Sequence, residues 1–108
     1  MPRWLPRVLK RIRALAATHR VSLTLKARRE LTALDFGLDQ EDACDLLANL
    51  TIEDSAGRLV SAVTDEWMYV FKPSLAGAVL YVKLILRINC VVVSFHDDEG
   101  AGRDQEDA

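Results

Sequence analysis

Late in the chain, Tyr81 in LYVK and His96 in SFH place a phenol and an imidazole on two neighbouring stretches, with the Lys83 ammonium between them. Imidazole takes up or releases a proton near neutral pH, and an ammonium steadies the extra negative charge of a crowded phosphate. Cutting a ribose-phosphate chain without a metal needs such a set: a base at the 2′-hydroxyl, a cation at the phosphate and an acid for the departing 5′ oxygen. His96, Lys83 and Arg58 have the chemistry for these roles, while Tyr81 can stack on a base, orient the phosphate or donate a hydrogen bond. A tyrosine and a histidine at the end of a half-exposed hairpin also occur in sheets with no activity, so both readings stand on spacing alone.

Other chemistries find less support. His19 and His96 are the only histidines and form no H-x-x-x-H or H-E-x-x-H pattern, and Cys44 and Cys90 form no C-x-x-C pair. No metal or other cofactor is implied, and the two thiols read as buried and free.

The elements that must position Tyr81 and His96 are strands. From Trp67 the pattern has period two, through WMYVFK, AVLYVKLILR and CVVVSFH, with breaks at Pro73 to Gly77 and at Ile88 and Asn89. The last break is too tight for a crossover, so the final two strands are predicted to form an antiparallel hairpin. An even-length turn opposes Val82 with Phe95, Leu84 with Val93 and Leu86 with Val91 on an apolar face. The other face then opposes Tyr81 with His96, Lys83 with Ser94, Ile85 with Val92 and Arg87 with Cys90.

Helices precede these strands. Trp4, Leu5, Val8, Leu9, Ile12, Leu15 and Ala16 recur at three- and four-residue steps, with Pro2 and Pro6 where a first turn tolerates proline. The opposite face of this helix carries Arg3, Arg7, Lys10, Arg11 and Arg13, which suits a solvated face over a core helix, a phosphate surface or a membrane surface. Residues 21 to 25 alternate as a short edge strand, and residues 26 to 34 read as a second helix ending near Gly37. Asp39 with Asp42 caps a third helix running to Leu50, and Thr51 with Asp54 opens another cap. Residues 55 to 65 lack clean periodicity and read as a loop or short helix over the sheet edge, a candidate lid.

Helices first and strands last predict an α+β fold, with N-terminal helices packed on one face of a C-terminal antiparallel sheet. At 108 residues the chain suits a single domain, residues 1–96, followed by an acidic tail, 97–108, expected to be disordered. The net charge of −2 hides opposite ends: residues 1–34 hold nine Lys or Arg against Glu30 alone, and residues 97–108 hold six acids against Arg103. Lys83 and Arg87 interrupt the longest apolar run, so no membrane span is expected, and the basic start lacks the unbroken apolar core of a signal peptide. A mature cytoplasmic protein is the resulting expectation.

The stretches GLDQEDACDLLANLT, DEWMYVFKP, VLYVKLIL and VVVSF resemble, in order and spacing, the MqsR family of toxins from type II toxin–antitoxin systems, over roughly residues 8 to 96. The resemblance implies a RelE-like fold, metal-independent cleavage of mRNA, and a cognate antitoxin with a zinc-binding part and a helix-turn-helix part. It matches the family's functional tyrosine to Tyr81 and its basic residue after S-F to His96. Gly57 stands where the family has a functional lysine, with Arg58 adjacent, and Met68 stands where it has a glutamine. Lys72, Arg87 and Met68 complete the expected RNA-contacting set, with Lys72 or Lys83 available to take over phosphate contact. The same departures also fit a catalytically decayed module that only binds an antitoxin or other partner.

Overall fold

The computed structural model describes residues 1–98. Leu5, Leu9, Ile12 and Leu15, spaced to share one side of a helix, are all buried along α1 (Leu5–Ala17). Pro6 sits in its first turn, where its missing N–H costs no hydrogen bond. The helix ends in a Schellman motif: the Arg20 amide donates to the Leu15 carbonyl, and the His19 amide to that of Ala16. His19 holds the left-handed position, φ 60°, that glycine usually occupies there. The helix's basic face is only partly solvated, because Arg13 donates to the Leu50 carbonyl at 2.8 Å and Arg11 to the Arg87 carbonyl at 2.9 Å.

The strand β1 (Val21–Leu23) stops two residues short of its expected end. The Thr24 hydroxyl accepts the Ala27 amide and so starts α2 (Leu25–Ala33) earlier than its apolar pattern suggested. The expected capping box opens α3 (Gln40–Ala48), where the Asp42 amide, donating to Asp39, draws that carboxyl below its usual range.

Residues 55–60 form a strand, β2 (Ser55–Val60), and not the expected loop or lid. Its pairing shifts between Ser55 and Arg58, a bulge that contains Gly57 at φ 96° and breaks the period-two pattern. There follow β3 (Trp67–Phe71), the short β4 (Ser74–Leu75), β5 (Ala78–Leu86) and β6 (Cys90–Asp97). Ala76 and Gly77, both at positive φ, make the two-residue turn between β4 and β5. The order is β1-β6-β5-β3-β2, with β4 beside β5. Because β1 pairs with β6 in parallel, the sheet is mixed, where a wholly antiparallel one was expected. Asp97 closes β6, so the strand runs one residue into the expected tail, and residues 99–108 of that tail lie outside the described residues.

The three helices and the sheet make an α+β fold around one core cluster. Phe71, Leu80, Val82, Leu84, Val92 and Phe95 point into it from the sheet, each 0% exposed. Burying each such side chain contributes about 1.5–3 kcal/mol. Val70 and Ile85, also buried but outside that cluster, belong to the sheet's second face. At the edge, α2 shields β6: Glu30 Oε1 accepts the Phe95 amide at 2.9 Å, satisfying a strand donor beyond the reach of β1.

Candidate active face

The hairpin pairing of β5 and β6 opposes Tyr81 with His96 and Lys83 with Ser94, as the register reading predicts. Beyond Lys83 a bulge at Val93 shifts the ladder, so Leu84 opposes Val92, Ile85 opposes Val91 and Leu86 opposes Cys90. The expected pairs Leu84–Val93, Leu86–Val91, Ile85–Val92 and Arg87–Cys90 are therefore corrected by one residue. The shift brings Val92 and Cys90 into the core, both 0% exposed.

On the second face the rings of Tyr81 and His96 stack, with centroids 4.9 Å apart and planes 12° from parallel. His96 Nδ1 lies 3.0 Å from the Asp97 carbonyl oxygen. A carbonyl can only accept, so this contact places the proton on Nδ1 and makes Nε2 the basic nitrogen. Val70 opposes Lys83, so Lys72, two residues further along β3's course, falls on the same face. Its Nζ lies 5.9 Å from the Tyr81 ring centroid. Lys72 also pairs with Asp98 Oδ1 at 3.4 Å, a buried oxygen with no properly directed hydrogen bond. An anion thus already sits beside the Lys72 ammonium. Met68 shares this face through its pairing with Leu59, next to the half-exposed edge.

Arg58 does not join this group. It opposes Tyr69, a core residue, and its guanidinium lies between two indoles, 3.7 Å from the Trp67 ring centroid and 4.8 Å from that of Trp4. The sheet separates it from Tyr81 and His96. Arg87 is distant in another way, lying about 20 Å along β5 from Tyr81. Its Nε and Nη2 grip both oxygens of Glu66, at 3.0 and 2.6 Å. Those hydrogen bonds, with one from Thr64, hold the Glu66 carboxyl at about 2, and the same pairing raises Arg87.

One cation near the face escaped the sequence reading. Lys26 Nζ donates to Ser94 Oγ and to Glu30 Oε2, each at 3.0 Å, at the residue opposite Lys83. The i, i+4 spacing of Lys26 and Glu30 was the available signal, but only the passage of α2 along β6 carries it to the sheet. Cys44 and Cys90 are buried and free, as expected. Burial, then Asp45 and Glu41, raises the Cys44 thiol, and burial with Cys44 nearby pushes Cys90 up to about 12.

Among the described residues no three His, Cys, Asp or Glu side chains gather as a metal site, and no helix is long and apolar enough to cross a membrane. No curated protein matches the sequence. The family model described as "Motility quorum-sensing regulator, toxin of MqsA" matches residues 6–97, from the second residue of α1 to the end of β6, and the chain therefore belongs to the MqsR family of toxins from toxin–antitoxin systems.

Proposed function

We propose that this toxin is a metal-independent endoribonuclease that cuts mRNA in the cytoplasm on the second face of its sheet. The observation that supports this best is the Tyr81–His96 stack with the Lys72 ammonium beside it. In the proposed reaction His96 Nε2 takes the proton of a ribose 2′-hydroxyl, and the 2′ oxygen bonds to the adjacent phosphorus. The bond from phosphorus to the 5′ oxygen breaks, leaving a 2′,3′-cyclic phosphate and a 5′-hydroxyl. Lys83 donates the proton that the departing oxygen takes, and the proton held on His96 returns to Lys83 through solvent. Lys72 stabilises the charge on the phosphate, and Tyr81 orients the phosphate by its hydroxyl. Each positioned acid or base contributes about 10²–10⁴-fold to the rate.

Met68 supplies packing where a polar contact was expected, so we assign it no proton transfer. The proposed partner besides mRNA is a cognate antitoxin with zinc-binding and helix-turn-helix parts. Wild-type protein incubated with RNA should produce fragments with cyclic phosphate ends, and a strand with 2′-deoxyribose at the cut position should stay intact. Fragments carrying 5′-phosphates would overturn the mechanism.

A second reading, a decayed toxin that only binds its antitoxin, is favoured by Met68 and by the diversion of Arg58 into the indole pair. RNA left whole by wild-type protein that still binds antitoxin would establish it.

A further inference from the structure

A second cationic feature lies on the other side of the molecule. Along the outer side of α1 runs a shallow groove of about 520 Å³, rimmed by Arg7, Lys10, Arg11 and Arg20 around Ala14 and Thr18. None of these four cations forms an ion pair among the described residues, whereas Lys26, Lys72 and Arg87 each have a carboxylate. Four uncompensated charges, three within about 6 Å of helix and Arg20 just beyond its end, repel one another, and the cost falls when an anion of matching length lies among them.

The large apolar side chains of this helix, Leu5, Leu9, Ile12 and Leu15, are in the core, so the helix has no apolar surface to insert into a lipid layer. The groove is also not isolated from the proposed active face. Arg11 Nη2 donates to the Arg87 carbonyl, which places the groove's border at the turn between β5 and β6. From that turn the second face continues about 20 Å along β5 to Tyr81.

We infer that the α1 groove binds the phosphate backbone of single-stranded RNA, holding the part of a long substrate that has passed around the β5–β6 turn from the active face. The choice of RNA rests on the proposed function above. Phosphate contacts hold and position a strand without reading its bases. The groove therefore favours long RNA over short without adding sequence preference.

The test is binding of two fluorescent 2′-O-methyl RNAs to full-length protein, one long enough to span both surfaces and one too short. These strands lack the nucleophilic hydroxyl, so binding is read whether or not the protein cuts. The three side chains changed in the Arg7→Gln/Lys10→Gln/Arg20→Gln protein are exposed, so its melting temperature should match wild type. It should bind the long strand at least about tenfold more weakly at low salt, with a plot of log affinity against log salt shallower by about 2. Affinity for the short strand should not change. The charge-keeping Arg7→Lys/Arg20→Lys protein should bind the long strand like wild type, which separates lost charge from lost structure.

Equal long-strand affinity in the glutamine variant and wild type would overturn the inference. So would a loss confined to a polyglutamate peptide or to anionic vesicles, either of which would assign the groove to a protein or a lipid. Absence of cleavage with groove binding intact would remove the proposed function alone; normal cleavage with unaffected binding in the glutamine variant would remove the groove alone.

Discussion

The two faces of the sheet are built from alternate residues of the same strands, yet they do different work. Phe71, Val82 and Phe95 point one way and are fully buried under the helices. Lys72, Tyr81 and His96, their immediate neighbours in sequence, point the other way and bring ionisable groups together. The two lone cations of β2 and β3's course make the same contrast. Arg58 is fixed between Trp4 and Trp67 on the helix side, and Lys72 stands over Tyr81 on the second. Residue type alone does not decide which cation is available to a phosphate; strand register does.

The contrast is sharpened by changes whose effects should differ in kind. Phe95→Ala, on the helix side, should cost about 3–5 kcal/mol, measured by urea unfolding, because it empties space that no neighbouring element can refill. Arg58→Ala should cost about 1–2 kcal/mol through the two lost ring contacts and leave RNA cleavage close to wild type. A large loss of cleavage in Arg58→Ala at unchanged stability would break the division between the faces.

Two smaller predictions concern the ends of elements. His19→Gly should raise stability by up to about 1 kcal/mol in thermal unfolding, since the left-handed position at the end of α1 strains any side chain. Glu66→Gln tests the tie at the far end of β5. The Glu66 carboxyl lies below its ordinary 4.5, at about 2, so the stabilisation it gives is complete above 4.5 and lost as pH falls toward 2. The variant should lose that part of the acid sensitivity, seen as a flatter dependence of unfolding midpoint on pH across the window.

Much of this arrangement was legible in the sequence. Apolar spacing gave α1 and the Asp39–Asp42 pair gave the start of α3, whereas the expected even-length turn is a three-residue one, Arg87 to Asn89, and Tyr81 opposes His96 as expected only because the bulge at Val93 offsets it. The bulge at Val93 was not legible, because Val92 and Val93 are the same residue and either can face the core. Nor was β2, whose own bulge at Gly57 erases the alternation that marks a strand and with it the side on which Arg58 lies. The parallel pairing of β1 with β6 and the reach of Lys26 to Ser94 join residues far apart in the chain, with no local pattern to announce them.

Cleavage of RNA on the second face, as proposed, is open to a three-protein comparison. Wild type, His96→Ala and Arg58→Ala, each confirmed folded by its melting temperature, would be assayed for single-turnover cleavage of the same RNA. His96→Ala should lose at least about 100-fold in rate while Arg58→Ala should stay within a few-fold of wild type. Full activity in His96→Ala, or its loss in Arg58→Ala alone, would place the chemistry elsewhere.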